Sequence, residues 1–371
     1  MTEMLVRAPA IRATAGSSDQ DQWCEEFDET LVCSEVLQIT HDVKSLVLRP
    51  IRPRRFVFEP GQHLTVHARI DGRQIDRCYT IASSCLQPEA LTITVKRVPG
   101  GPVSSWLHDH VEPGRQIAVS GPLGEFSTTR YPAEKYLFLS AGSGITPLMS
   151  MVRTMRDRGG TSNVVFVHNA RTPDDIIFRD ELQRMAVGCP GIRTVAICEH
   201  DAPSERWTGL RGRMTLPMLQ AVAPDLAERE AFTCGPPAYM ATVRTILAHA
   251  GAHPSRCHEE AFSFAEEAVP GARSSTTEQP PDRHDGFAIE FQRAGRTIEC
   301  GPDSTLLMAA ARAGLTMPSS CGEGICGTCK TMMLSGTVDM HHQGGIRPRE
   351  IAQNKILLCC STPQEDVVLD A

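Results

Sequence analysis

Between Leu31 and Thr129 apolar and polar residues alternate in short runs, among them Ser45-Leu46-Val47-Leu48, His63-Leu64-Thr65-Val66-His67 and Leu91-Thr92-Ile93-Thr94-Val95. A period of two places every second side chain on one face, so each run predicts a half-buried strand. Turn signals at Glu59-Pro60-Gly61, Asp71-Gly72, Pro99-Gly100-Gly101 and Glu112-Pro113-Gly114 separate the runs. Many short strands so punctuated predict a small antiparallel barrel or sandwich. At Lys135 the rhythm changes. Short apolar runs at Tyr136–Ser140, Val164–Val167, Thr194–Ile197 and Ala231–Cys234 alternate with amphipathic stretches such as Leu148–Arg158. Strands separated by helical patterns predict a parallel sheet with crossover helices.

The stretch from Ala265 to Asp285 is rich in Pro, Ser, Thr and charge and has few apolar anchors. It predicts a linker, and a flexible coil of about 20 residues spans roughly 25 Å. Such reach would let the following domain swing between two docking positions. A third pattern follows, with strands at Phe287–Phe291 and Arg296–Cys300 around the Ala294-Gly295 turn, then a helical stretch from Thr305 to Ala313 ending at Gly314. The expected organisation is a loose tail over residues 1–30, a barrel over 31–130, an α/β domain over 131–264, a linker over 265–285 and a small domain over 286–371.

Composition narrows the function. The 371 residues are too many for one ordinary domain. A formal charge of −7 gives no basic footprint for nucleic acid. No apolar run approaches the roughly 18 residues needed to span a bilayer, and the first residues lack the apolar core of an export signal. Fourteen cysteines are scattered, four of them in a pattern suited to thiolate–iron chemistry, so a reducing cytoplasm is the expected location.

That pattern is Cys321-Gly322-Glu323-Gly324-Ile325-Cys326-Gly327-Thr328-Cys329, followed by Cys359 after twenty-nine residues. The spacing C-x4-C-x2-C…C is that of a [2Fe–2S] cluster held by four thiolates. Zinc sites favour paired C-x2-C knuckles, and only one such pair is present. Gly322, Gly324 and Gly327 let the loop adopt positive φ and bring backbone N–H groups to the sulfurs. Cys360, beside Cys359, is expected to be a packed spare thiol.

Three further constellations carry chemistry. Arg77-Cys78-Tyr79-Thr80 is followed by the glycine turn Gly101-Pro102-Val103-Ser104, which opens a helical pattern. Free N–H groups at a helix N-terminus, together with an arginine, suit a diphosphate. Ala141-Gly142-Ser143-Gly144-Ile145-Thr146-Pro147 ends a strand and begins a helix, although it lacks the G-x-G-x-x-G spacing. Cys234-Gly235-Pro236-Pro237 ends a later strand, and Glu259-Glu260-Ala261-Phe262 precedes the linker.

With these in order, the chain resembles the ferredoxin–NADP reductase superfamily joined to a plant-type ferredoxin domain. The resemblance implies an antiparallel β-barrel for flavin, an α/β parallel-sheet domain for nicotinamide nucleotide and an α+β, ferredoxin-like (β-grasp) domain for the cluster. It implies that Arg77, Cys78 and Tyr79 hold the flavin, FAD rather than FMN, and that Thr80 hydrogen-bonds near its reactive nitrogen. Gly101, Pro102, Val103 and Ser104 would cradle its diphosphate. Gly142, Gly144, Thr146, Pro147, Gly235 and Pro236 would bind the nucleotide. Cys234 would lie beside the nicotinamide, Glu260 near the flavin hydroxyl partner and Phe262 over the ring, with Glu259 and Phe264 as substitutes. Arg171 could meet a 2′-phosphate, but one arginine leaves NADH favoured and NADPH possible. Cys321, Cys326, Cys329 and Cys359 would bind the iron.

The domain order is similar to reductase components of multicomponent oxygenases, especially Rieske-type enzymes that demethylate quaternary amines such as glycine betaine or carnitine. Hybrid-cluster-protein reductases and the phenylacetyl-CoA epoxidase reductase are alternatives of similar layout, and a standalone diaphorase or redox sensor is another. Residues 286–371 carry nine acidic and seven basic side chains, so docking onto an acceptor is expected to depend only mildly on salt.

Overall fold

The computed structural model describes residues 22–23, 30–159, 162–261, 286–315, 317, 319, 322, 324, 327, 329–342 and 344–371. The linker, Phe262 and Phe264, the cluster ligands Cys321 and Cys326, and Glu323, Ile325 and Thr328 lie outside them, as does nearly all of the N-terminal tail.

The alternating region forms six antiparallel strands: β1 (Thr30–Thr40), β2 (Val43–Pro50), β3 (His63–Ile70), β4 (Arg73–Thr80), β5 (Leu91–Lys96) and β6 (Gln116–Leu123), with helix α1 (Pro102–His110) between the last two. Their order is β4-β3-β6-β1-β2-β5. A bridge between Ile81 and Ile93 joins the two outer strands, and the Ala82 N–H donates to the Thr92 carbonyl at 2.7 Å. The sheet therefore closes on itself as a barrel, which removes its edges. Leu46, Leu48, Leu64, Val66, Ile93, Ile117 and Val119 fill the interior. Trp23 also belongs to this core, 6% exposed and 5.3 Å from the Phe56 ring between centroids. The loose-tail expectation thus fails at residues 22–23: burying an indole outweighs the polar composition around it.

The next segment is a parallel sheet with crossover helices. It runs β7 (Lys135–Ala141), α2 (Ile145–Asp157), β8 (Asn163–Ala170), α3 (Arg179–Gly188), β9 (Ile192–Cys198), β10 (Leu210–Arg211), α4 (Leu216–Val222), β11 (Glu230–Gly235), α5 (Pro237–His249) and β12 (Cys257–Ala261). The order β10-β9-β8-β7-β11-β12 has the chain winding outward from β7 on one side, then returning to its other side. The strand ends beside β7 form the switch-point crevice, where open α/β sheets bind ligands. Phe138, Phe166 and Phe232 pack under α2 on one face, while Leu137, Leu139, Val165 and Val167 meet Leu219, Val243 and Leu247 on the other.

Helix α2 also latches this sheet to the barrel. Ser150 Oγ donates to the Ser83 carbonyl at 2.8 Å, Arg153 Nη1 donates to the Ala82 carbonyl at 2.6 Å, and the Cys85 N–H donates to Thr154 Oγ1 at 3.1 Å. Arg153 is itself oriented by Glu181, with Nε donating to Oε1 at 2.8 Å.

The C-terminal segment contains β13 (Phe287–Phe291), β14 (Arg296–Cys300), α6 (Leu306–Arg312), β15 (Lys330–Ser335), β16 (Val338–Met340), α7 (Pro348–Ile351), β17 (Lys355–Leu357), β18 (Ser361–Pro363) and β19 (Val367–Leu369). Thr305 caps α6 by accepting from the Met308 N–H at 3.3 Å, and Gly314 follows the helix at φ 75°. The mixed sheet runs β14-β13-β19-β15-β17, with β16 and β18 paired separately. The last strand of the chain is inserted between the first and third of this segment, giving the α+β grasp. Ile289, Phe291, Leu306, Ala310, Leu357 and Leu369 form its core.

Candidate functional site

The barrel contributes β4 and the start of α1. Arg77 is half-buried, with Nη1 on the Asp76 carbonyl at 2.8 Å. Thr65 Oγ1 and Cys78 Sγ are 3.5 Å apart. Tyr79 packs against the barrel core, and burial pushes its phenol above the usual range. Thr80 pairs with His63 across β3 and β4 and is 3% exposed; its Oγ1 has no hydrogen-bond partner. A buried hydroxyl left in this state costs free energy unless a bound molecule completes it. That is the fit a flavin edge requires.

At α1, Pro102 occupies the first turn and Val103 is buried in the barrel, so these residues offer backbone rather than side chains. Ser104 Oγ accepts from the Val98 N–H at 3.1 Å and donates to the Gly101 carbonyl at 3.2 Å. The serine hydroxyl thus closes the turn, and the helix N–H groups are left to meet an anion.

The nucleotide sheet contributes the crevice beside β7. A methyl group on Gly144 would fall 2.4 Å from the Cys234 carbonyl oxygen and 2.6 Å from the Gly235 nitrogen. Only glycine lets the α2 entrance lie against the end of β11. Thr146 Oγ1 donates to the Ser143 carbonyl at 3.1 Å, and both Thr146 and Pro147 are buried. Pro236 is exposed at the crevice rim. Cys234 is in register with Glu260 on the neighbouring parallel strand β12.

Burial raises the Glu260 carboxyl to about 8, and one of its oxygens, Oε2, has no hydrogen-bond partner. Burial, with Glu260 alongside, pushes the Cys234 thiol well above its ordinary value. Both groups therefore keep their hydrogens near neutral pH, side by side on β11 and β12. Glu259, the substitute considered from sequence, points elsewhere: it ion-pairs with Arg244 at 2.5 Å. Arg171 is exposed and ion-pairs with Asp175 at 3.3 Å.

One participant went unnoticed in the sequence. Tyr239 Oη accepts from Asn169 Nδ2 at 3.0 Å, and the same amide donates to the Ser140 carbonyl at 3.2 Å. This ties α5 to the ends of β7 and β8. The signal was a tyrosine two residues after the C-G-P-P run, at the start of a helix, but only the fold brings it back over β8.

In the C-terminal segment Cys329 and Cys359 are buried, at 3% and 6% exposed. The Gly324 N–H donates to Cys359 Sγ at 3.2 Å, the arrangement that stabilises a thiolate ligand. Cys360 lies beside it and instead offers its thiol to the Leu357 carbonyl at 3.7 Å. A methyl on Gly324 would meet Cys360 Sγ at 2.8 Å, so the loop closes tightly over this pair.

Comparison with known proteins agrees with this geometry. Models of an oxidoreductase FAD-binding domain, an oxidoreductase NAD-binding domain and a 2Fe-2S iron-sulfur cluster binding domain match residues 30–128, 138–245 and 289–364. The chain is 44% identical over 346 residues to the glycine betaine monooxygenase reductase subunit of Pseudomonas aeruginosa, covering 91% of this chain and 94% of that one. It is 42% identical over 317 residues to the stachydrine N-demethylase reductase subunit of Rhizobium meliloti, covering 85% and 89%. Phthalate dioxygenase reductase has a similar structure, with a TM-score of 0.59 and 25% identity over 94% of this chain and 99% of that one. No helix among the described residues is long and apolar enough to cross a membrane. The chain is an oxidoreductase, and it belongs to the ferredoxin–NADP reductase superfamily of electron-transfer reductases that carry a C-terminal plant-type [2Fe–2S] domain.

Proposed function

We propose that the chain takes electrons from NADH and delivers them to a Rieske-type oxygenase that demethylates a quaternary amine. The observation that carries the transfer chemistry is the double engagement of α2. Its entrance at Gly144 lies against Cys234 and Gly235, while Ser150 and Arg153 hold Ser83 and Ala82, two to three residues beyond Thr80. One rigid element thus fixes the hydroxyl of the barrel relative to the crevice of the sheet, which is the orientation hydride transfer needs. The quaternary-amine substrate is supported by the names of the two close relatives.

Arg77, Tyr79 and the turn from Gly101 through Pro102 to Ser104, by way of the Val103 and Ser104 N–H groups, would hold the flavin, with Cys78 beside them and Phe262 over the ring. Gly142, Gly144, Thr146, Pro147, Gly235 and Pro236 would hold the nucleotide, and Arg171 would lie near its ribose. When bound, the flavin supplies the conversion of a hydride pair into single electrons. Thr80 donates its hydroxyl hydrogen at the barrel end of the site. Cys234, kept neutral by burial, presents an S–H at the other end, and Glu260 can hold or release a proton behind it. Cys321, Cys326, Cys329 and Cys359 are the iron ligands, Cys359 being preferred to Cys360 because its sulfur accepts the Gly324 N–H. NADH is preferred because Asp175 already occupies Arg171.

Reconstitution with a glycine betaine- or stachydrine-type oxygenase component tests this reading. NADH-driven release of formaldehyde from the quaternary amine is the expected result. Rapid NADH oxidation with a reduced cluster, but no turnover by any Rieske partner, would remove the acceptor assignment while leaving the reductase intact.

A further inference from the structure

We propose that Gly344 is the docking point that seats the iron–sulfur domain on the flavin barrel, at a spot backed by His63 and Thr80. This rests on the relay reading above and names the contact that would set its geometry. Gly344 has φ 89°, a conformation that glycine accepts readily. A methyl group there would come within 2.7 Å of Glu125 Cγ and 3.0 Å of both the Glu125 nitrogen and the Gly124 carbonyl carbon. The two domains therefore meet main chain against main chain, with no room for a side chain.

From Gly344 the contacts run inward in both directions. On the iron–sulfur side, the adjoining Gly345 N–H donates to the Gly324 carbonyl at 3.0 Å, and the Gly324 N–H donates to Cys359 Sγ at 3.2 Å. A methyl on Gly327 would lie 2.6 Å from the Gly345 carbonyl oxygen, so the docking segment is fitted directly onto the cysteine loop. On the barrel side, a methyl on Gly124 would lie 3.1 Å from Nδ1 of the buried His63 ring. His63 is the cross-strand partner of Thr80. The Gly124–Glu125 turn is held from outside as well, because Arg130 ion-pairs with Glu125 at 3.3 Å and with Glu59 at 2.9 Å.

A short series of packed groups thus leads from the Thr80 end of the flavin site to a proposed cluster ligand. Electron transfer falls off exponentially with separation, so the thickness of the seam would control the rate. Glycine makes that thickness the smallest a polypeptide allows. Gly344 and Glu125 act as positioning residues: they touch neither cofactor in this reading and set how closely the two supports approach.

Single-turnover stopped-flow on the holoprotein tests this with two variants, one on each side of the seam. Gly344→Ala and Glu125→Phe are expected to leave flavin bleaching by NADH at the wild-type rate. Cluster bleaching should slow several-fold, because the transfer rate falls exponentially with the added separation. Dithionite should still reduce the cluster fully, showing that it is assembled. A readout independent of turnover is hydrogen exchange of the holoprotein. The Gly124–Glu125 backbone should be protected in the unaltered protein and exchange faster in Gly344→Ala. Wild-type cluster rates in both single variants, or exchange at Gly124–Glu125 that Gly344→Ala leaves unchanged, would overturn the docking point. If NADH bleaches the flavin of the unaltered protein but never its cluster, the relay reading itself fails.

Discussion

Two junctions flank the barrel, and they are built on opposite principles. The junction with the nucleotide sheet is directional: Ser150, Arg153 and Thr154 reach from α2 to backbone groups of Ser83, Ala82 and Cys85. Each bond requires one donor and one acceptor in one geometry, so the crevice is fixed relative to Thr80. The contact with the iron–sulfur segment at Gly344 is steric, a close approach of two main chains with the side chain omitted. Hydride transfer needs atoms aligned to a fraction of an ångström, which bonded anchors supply. Single-electron transfer needs proximity more than alignment, and a glycine contact supplies that.

The largest effect should come from removing a proposed cluster ligand on the steric side. Cys359→Ser is expected to abolish electron transfer beyond the flavin while leaving NADH-dependent flavin bleaching intact, checked by the visible and EPR signals of the cluster. If Cys360→Ser has that phenotype instead, the ligand assignment moves by one residue. On the bonded side, Thr80→Val keeps the shape and removes the orphan hydroxyl. Flavin reduction should slow about 5- to 150-fold, corresponding to the 1–3 kcal/mol of a hydrogen bond to a buried group. An unchanged rate would mean that the barrel hydroxyl plays no part.

Glu260 gives the bonded side a pH signature. Its carboxyl is raised from an ordinary value of 4.5 to about 8, so the folded protein retains a proton that the unfolded chain releases. Stability is therefore expected to fall as pH rises from about 4.5 to about 8, and to level off above. Glu260→Gln should flatten that slope, as read from thermal unfolding of the holoprotein across the range. A slope that survives the substitution would assign it to another group. Smaller still is Ser150→Ala, which removes one latch bond and should cost about 1 kcal/mol of stability. If it instead loosens the junction, the Michaelis constant for NADH should rise with little change in unfolding midpoint. Last, turnover with an acceptor should fall only mildly with added salt; a steep fall would reveal a charged docking face that the near-balanced count in residues 286–371 does not predict.

Much of this was legible along the chain because it is local. Alternation marked β2, β3 and β5, and Thr305 and Gly314 bounded α6. Cysteine spacing named the metal chemistry, since three of the four thiols, Cys321, Cys326 and Cys329, fall within one short stretch of chain. The order of Arg77–Thr80, Gly101–Ser104, Gly142–Pro147 and Cys234–Pro236 carried the family. Trp23 was misread because local composition cannot report burial by a distant barrel. Glu260 was preferred to Glu259 by resemblance alone, and strand alternation in β12 supplies the physical reason: it sends Glu259 to Arg244 and buries Glu260.

The sequence by itself determined the element types, the three-part order and the residue kinds able to hold flavin, nucleotide and iron. Tertiary structure alone decided which of them face one another. The insertion of β19 between β13 and β15, the register of Cys234 with Glu260, the clasp of α2 on Ala82 and Ser83, and the approach of Gly344 to Glu125 all join residues far apart in the chain. The physical reason is that patterning and turn chemistry act over a few residues. Burial, neutral carboxyls and domain contacts arise only when remote surfaces exclude water together.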